Sequence, residues 1–117
     1  MHRYILSILF ILSFSFPQQL LAGSHDVVTG KFTVNGVCEK CKKRIEEAAY
    51  IKGVKYADWD VDNHQLTVKY DSSKTSPDLI LQSIAAVGHD AGNIKATQAA
   101  YEKLPACCHY RDGIKKH

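Results

Sequence analysis

Two cysteines separated by two residues, Cys38 and Cys41, are the residues of this sequence with the clearest chemical potential. The spacing lets both sulfur atoms converge on one small ion, and thiolates select soft metals, so the pair predicts a site for Cu(I), with Hg(II), Zn(II) or Cd(II) as further candidates. The same spacing also suits a structural disulfide or a dithiol redox site of the thioredoxin type. Metal binding, thiol-disulfide exchange and cross-linking of the fold are therefore all open from the pair alone.

A second group of soft ligands lies near the C terminus, at Cys107, Cys108 and His109. This segment could complete the site of Cys38 and Cys41, hold a second ion by itself, or form disulfides. A bond between neighbouring cysteines is strained, so an oxidised Cys107 or Cys108 would reach a partner elsewhere in the chain. We favour a metal-binding role in which these three residues assist the first pair.

The N-terminal residues 1–24 predict a secretory signal peptide. A short polar start precedes an apolar stretch from Tyr4 to Phe16, which Pro17 interrupts before a group of small residues. The stretch is short for a membrane span, although an uncleaved anchor is the alternative. Cleavage after Ala22 or Ser24 fits best, and it would release the chain into the periplasm or the medium, where thiols need protection from oxidation.

Length and composition indicate one folded domain. Of the 117 residues, 23% are charged and 45% are hydrophobic, which is typical of a folded soluble protein. A formal charge of +3 without a long basic run gives no electrostatic case for nucleic acid. No catalytic nucleophile motif, phosphate loop or dinucleotide fingerprint is visible, so we do not expect an enzyme.

Hydrophobic periodicity predicts alternating strands and helices around the first cysteine pair. The predicted elements are a strand at 28–34, a helix at 39–50, strands at 54–61 and 66–70, a helix at 77–87 and a weaker edge strand at 91–96. This order predicts an α+β fold, the ferredoxin-like βαββαβ sandwich, in which a four-stranded antiparallel sheet carries both helices on one face. We assign residues 25–97 to this domain and 98–117 to a C-terminal tail that docks on it.

The cysteine pair falls at the predicted start of the first helix. Unpaired amide groups and the positive end of the helix dipole lie there, and both favour the thiolate form that binds metal. Four basic residues would surround the bound ion with positive charge: Lys40, Lys42, Lys43 and Arg44.

The stretch from Phe32 to Cys41, the Gly53-Val54 return and the stretch from Ala85 to Ala91 together resemble the heavy-metal-associated domain family, over about residues 29–95. The family includes copper chaperones and the periplasmic mercury-binding protein. The resemblance implies that the chain passes an ion by ligand exchange, without catalysis, to a metal transporter or another metal-binding protein. It is most similar to the exported members, which implies a periplasmic metallochaperone or scavenger. We expect a monomer that meets the membrane only through its leader or a membrane partner. A small exported thiol-disulfide oxidoreductase is the alternative.

Two residues depart from the family pattern. Gly36 stands where many members have Met two residues before the first cysteine, and that Met usually serves packing. His89 stands where the family commonly has Tyr, Phe or Lys, in the loop that faces the metal site. The resemblance therefore makes His89 a candidate third ligand, against the alternative of a partly exposed loop residue that packs near the site.

Overall fold

The computed structural model describes residues 26–112, so the predicted signal peptide lies outside the described residues. The helices and strands are β1 (Val27–Thr33), α1 (Glu39–Ala49), β2 (Val54–Trp59), β3 (Gln65–Asp71), α2 (Pro77–Ala86) and α3 (Gln98–Glu102), followed by short 3-10 turns at Ala106–Cys108 and Tyr110–Asp112. The α+β class and the predicted order of the first five elements are confirmed. Within 26–112, no helix has the length and apolar character needed to cross a membrane.

The strands form an antiparallel sheet with β3 in the centre, in the order β1-β3-β2. Thr33 pairs with Gln65 at one end of β1 and Val27 pairs with Asp71 at the other. The pairing of β2 with β3 is interrupted by an irregularity next to Val54. The predicted hairpin of β2 and β3 is therefore present, and β1 keeps one edge free of a full strand partner.

The predicted fourth strand at 91–96 is not formed, and in the described part of the chain the sheet has three strands. Two hydrogen bonds do join residues 90–92 to the end of β1 and the residues just after it: the Asn35 N–H donates to the Asp90 carbonyl at 2.9 Å, and the Gly92 N–H donates to the Thr33 carbonyl at 2.8 Å. The chain then reverses, because Ala91 and Ile94 exchange backbone hydrogen bonds across a tight turn. A single bridge to the sheet side, between Val34 and Ala91, thus replaces the predicted edge strand.

The core lies between the sheet and the two longer helices. Helix α1 contributes Cys41, Ile45 and Ala49, helix α2 contributes Ile80, Leu81, Ile84 and Ala85, and the sheet contributes Ala57, Trp59, Leu66, Val68 and Tyr70. Each large apolar side chain buried in this way stabilises the fold by roughly 1.5–3 kcal/mol. Trp59 is fully buried, and its indole N–H is satisfied by the Val34 carbonyl at 2.9 Å.

The C-terminal tail docks on the domain, as its apolar residues predicted. Tyr101, Leu104 and Cys108 are buried against the core. The Tyr110 hydroxyl accepts a hydrogen bond from the Asp90 N–H at 2.9 Å and donates one to the Gly88 carbonyl at 2.7 Å. These contacts attach the described part of the tail to the loop that follows α2.

The Arg111 guanidinium adds a second attachment. Its Nη2 donates to the Asp90 carboxylate at 2.7 Å and to the Ala96 carbonyl at 2.9 Å. The same group lies 4.6 Å from the centre of the Tyr101 ring, within the range of a cation-π contact. Through these bonds the tail and the segment after α2 form one packed unit.

Gly88 permits this docking because the tail approaches its backbone closely. Its φ is +108°, and a Cβ placed there would lie 2.8 Å from the Ala100 carbonyl oxygen and 2.9 Å from Leu104 Cγ.

We expect Gly88→Ala to lower the free energy of unfolding by about 1–3 kcal/mol, measured by urea denaturation of the reduced protein. The exposed neighbour Val87 is the control, since Val87→Ala should change stability by no more than about 0.5 kcal/mol. Equal effects of the two changes would contradict this account of the docking.

Candidate metal centre

The first cysteine pair is positioned by the start of α1. Cys38 is the extended residue that precedes the helix, and Cys41 lies in the first turn with its side chain buried. Just ahead of them the chain passes under Trp59, where a Cβ on Gly36 would lie 2.9 Å from the indole Cη2 and 3.1 Å from Cys41 Cβ. Glycine at this position therefore lets the cysteine loop lie flat on the core, which gives a packing reason for the missing Met.

Three sulfur atoms converge at this end of the domain. Cys38 Sγ lies 3.9 Å from Cys41 Sγ and 4.0 Å from Cys108 Sγ, and all three sulfurs lie within 4.8 Å of one another. All four described cysteines carry free thiols. The structure thus brings Cys108 from the tail to the predicted pair, and its role as a ligand there stays a prediction.

The three thiols differ in their access to solvent. Cys41 and Cys108 are fully buried, whereas Cys38 is partly exposed. A surface pocket lined by Cys38, Glu39, Lys40 and Cys107 opens onto the group. An ion or an incoming ligand can therefore reach the site at Cys38, while the other two sulfurs face the interior.

A model of the heavy-metal-associated domain matches residues 31–90. The chain belongs to the heavy-metal-associated domain family. The comparison with curated proteins gave no match. The match contains Cys38 and Cys41 and ends at Asp90, so Cys108 lies beyond the part of the chain that the family describes.

Several solved structures are similar to the part of the chain that contains this domain. A CopZ metallochaperone is 33% identical, with a TM-score of 0.53 over 55% of this chain and 98% of its own. Oxidized MerP from Ralstonia metallidurans CH34 is 25% identical, with a TM-score of 0.55 over 57% and 96%. The N-terminal domain of the zinc(II) ATPase ZiaA in its apo form is 35% identical, with a TM-score of 0.50 over 57% and 65%. The predicted resemblance to this family is confirmed.

The backbone around the pair favours the ionised form of Cys38. Burial acts to raise the pKa of the Cys38 thiol, but hydrogen bonds from the amide groups of Cys41 and Lys40 and from the thiols of Cys41 and Cys108 outweigh it and leave the pKa below its usual value. The most accessible sulfur of the group is therefore also the one prepared to act as a thiolate ligand.

Cys108 has the opposite electrostatic environment. Burial raises the pKa of its thiol, and the neighbouring Cys41 and Cys38 raise it further, while the Arg44 guanidinium opposes them. Arg44 Nη1 lies 3.4 Å from Cys108 Sγ. In the metal-free protein Cys108 is consequently a protonated thiol beside a fixed positive charge.

Of the four basic residues predicted around the site, Lys42 is engaged elsewhere. Its Nζ lies 2.9 Å from a Glu46 carboxylate oxygen, 2.9 Å from an Asp58 carboxylate oxygen and 2.8 Å from the Trp59 carbonyl. Arg44 contacts a thiol because it follows Cys41 by three residues and so lies on the same face of α1. Its partner is in the tail, so the spacing alone did not single it out.

His89 is buried next to the site but is not among the grouped ligand atoms. Its Nδ1–H donates to the Asn35 carbonyl at 2.8 Å, its ring stacks on Tyr110 with 5.7 Å between centroids, and its Nε2 has no hydrogen-bond partner in the described part of the chain. The ring is 0% exposed, so the alternative of a partly exposed loop residue is wrong. The three-sulfur group does not include His89, and its role as a ligand stays a prediction.

The other tail candidates also lie outside the three-sulfur group. Cys107 Sγ is 4.0 Å from Cys108 Sγ and partly exposed, and the residue lines the surface pocket at Cys38. Both ring nitrogens of His109 are occupied, with Nε2 2.7 Å from the Leu104 carbonyl and Nδ1 3.3 Å from the Asp112 carboxylate. These contacts hold the His109 ring within the tail. The predicted role of His109 as a metal ligand stays a prediction.

Alkylation should separate the thiols by their environments. In the reduced, metal-free protein at pH 7.5, we expect Cys38 to react with iodoacetamide at least about 10-fold faster than Cys108, because its pKa is lowered and its sulfur is accessible. Mass spectrometry of peptides from timed samples measures both rates in one reaction. Equal rates in the folded protein would contradict the described geometry, and equal rates in urea are the control.

Buried His89 should make stability depend on pH. Burial lowers its pKa from 6.5 to about 4, the Asn35 carbonyl opposes this shift, and Arg44 adds to it. His89 therefore takes up a proton near pH 6.5 in the unfolded chain but only near pH 4 in the folded protein. The free energy of unfolding contributed by this difference is fully present above pH 6.5, and it falls by about 3 kcal/mol as the pH drops towards 4.

Urea denaturation of the metal-free, reduced protein between pH 7.5 and 4.5 measures this slope. We expect His89→Phe to flatten it, since Phe keeps the ring on Tyr110 and removes the titrating group. Parallel curves for parent and variant would show that His89 titrates alike in both states, contrary to the prediction.

Proposed function

We propose that this chain is an exported carrier of a soft metal ion, with Cu(I) as the first candidate, which it holds through Cys38 and Cys41 and passes on by thiolate exchange. It acts by binding and transfer and not by catalysis. The observation that carries the proposal is the 3.9 Å separation of the two sulfurs at the start of α1, one of them accessible and both unbonded to other cysteines. This arrangement offers two soft ligands to one cation.

Transfer by ligand exchange needs an entrance for the sulfur of the acceptor. Cys38 lies at the pocket that opens to the surface, and its pKa is lowered. An acceptor thiolate can approach the ion on this side, bond to it and displace Cys38. The bond between the ion and the buried Cys41 sulfur then breaks last. Metal and ligands are conserved in each exchange, so no oxidant or reductant is required.

The relatives support the choice of partner and cargo. One is a metallochaperone and another is the N-terminal domain of a zinc(II) ATPase. We therefore propose a membrane metal transporter, or another metal-binding protein, as the acceptor. Zn(II), Hg(II) and Cd(II) are the other cations that the donor set suits, because sulfur ligands bind soft and borderline ions.

Export to the periplasm or the medium is part of the proposal and depends on the leader predicted over residues 1–24. In an oxidising compartment a bound ion would protect the thiols from forming disulfides. N-terminal sequencing of the protein recovered from the cell envelope tests this point. We expect the mature chain to begin at Gly23 or His25.

Anaerobic titration with Cu(I) against a competing chelator tests the binding site. We expect one tightly bound ion per chain, and at least about a 100-fold loss of affinity, close to 2.7 kcal/mol, in both Cys38→Ser and Cys41→Ser. Cys107→Ser is the matched control, because it removes a partly exposed thiol outside the three-sulfur group.

Unchanged tight binding in both variants would remove the proposed site. A parent protein with negligible metal affinity and thiol-disulfide exchange at catalytic rates would instead establish the alternative function of a small oxidoreductase.

A further inference from the structure

Cys108 occupies a position that the family assignment does not explain. It lies in the 3-10 turn Ala106–Cys108, beyond residue 90, where the family match ends. It is nevertheless fully buried, with its sulfur 4.0 Å from Cys38 Sγ and 3.4 Å from the Arg44 guanidinium. Cys108 is far from Cys38 and Cys41 in the sequence but close to both in the fold, so its sulfur is placed to act at the two-sulfur site.

We propose that the C-terminal tail supplies the third ligand of the metal site, so that Cys38, Cys41 and Cys108 together hold one soft cation in three-coordinate sulfur geometry. The inference rests on the proposed function and adds to it a fixed coordination number and a structural means of retaining the ion.

The sulfur separations fit three ligands better than two. With a metal-sulfur bond of about 2.3 Å, two sulfurs on opposite sides of an ion lie about 4.6 Å apart, whereas three at the corners of a trigonal site lie about 4.0 Å apart. Cys38 Sγ lies 3.9 Å from Cys41 Sγ and 4.0 Å from Cys108 Sγ, and the remaining separation is within 4.8 Å. Small side-chain movements therefore suffice to close a trigonal site.

Charge at the site also fits a third thiolate. Three thiolates give a complex with Cu(I) two negative charges and a complex with a divalent ion one, in a place where two of the sulfurs are buried. Burying such charge is costly unless an opposite charge is near. Arg44, whose Nη1 lies 3.4 Å from Cys108 Sγ, supplies that charge on the side of the third ligand.

Docking of the tail determines whether the third sulfur is available. The tail is attached through Tyr110, which bonds to the backbone of Gly88 and Asp90, and through Arg111, which bonds to the Asp90 carboxylate. When the tail is docked the ion has three sulfur ligands, and when it undocks the ion has two. Undocking would thus lower the barrier to transfer, and an acceptor that displaces the tail would receive the ion faster.

X-ray absorption at the copper edge of the anaerobic Cu(I)-loaded full chain measures the number of sulfur ligands. We expect three in the parent, two in Cys108→Ser, and three in the neighbouring Cys107→Ser. Chelator competition should show Cys108→Ser to bind Cu(I) about 10-fold more weakly, with Cys107→Ser as in the parent. A parent with two sulfur ligands, or a Cys108→Ser variant that matches the parent in both measurements, would overturn the proposal.

A second variant loosens the tail without removing a sulfur. Tyr110→Phe deletes both hydrogen bonds of the Tyr110 hydroxyl. We expect it to lose Cu(I) to excess chelator several-fold faster than the parent, while the exposed control Tyr56→Phe does not. The amide NMR signal of Asp90, which reports its bond to Tyr110, shows whether the tail of Cys108→Ser is still docked. If Tyr110→Phe releases Cu(I) at the parental rate, docking does not retain the ion.

The two proposals fail separately in these experiments. Loss of binding in Cys38→Ser and Cys41→Ser, with Cys108→Ser matching the parent in both affinity and sulfur count, leaves the proposed function standing and overturns the third ligand. Unaffected binding in all three variants overturns both.

Discussion

The convergence of sulfur atoms at the start of α1 is the constraint on which the rest of the structure depends. Cys41 must be buried in the core for its sulfur to face inward, and Cys38 must precede the helix so that its sulfur stays accessible. The indole of Trp59 leaves no room for a side chain at position 36, so Gly36 lets the cysteine loop lie close to the helix. The sheet and α2 supply the apolar surface against which this arrangement is fixed.

Local patterns were enough to predict the elements that carry the pair. Strand alternation and helix periodicity placed β1 to β3, α1 and α2 within a few residues, since each signal is contained in its own segment. The edge strand at 91–96 was predicted from its residues alone, and there a turn with Gly92 at φ +56° reverses the chain after one bridge. Four strands were expected for that reason, and three are found in the described residues.

The remainder of the site depends on contacts between distant parts of the chain. Nothing in the spacing of Cys107 and Cys108 indicates which sulfur faces Cys38, because their order in a turn is decided by how the tail docks. The burial of His89 likewise depends on Tyr110, which covers its ring from 21 residues further along the sequence. The pairing of Arg44 with Cys108 joins α1 to the same tail. The ligand types could be predicted, and their grouping required the fold.

The most direct measurement of the central claim is elemental analysis of the protein isolated anaerobically from the cell envelope of its own host. The account predicts about one soft metal ion per chain in the parent and a metal-free chain when Cys38 and Cys41 are both replaced by Ser. A parent without metal, or a double variant that retains it, would contradict the claim that these two sulfurs form the binding site.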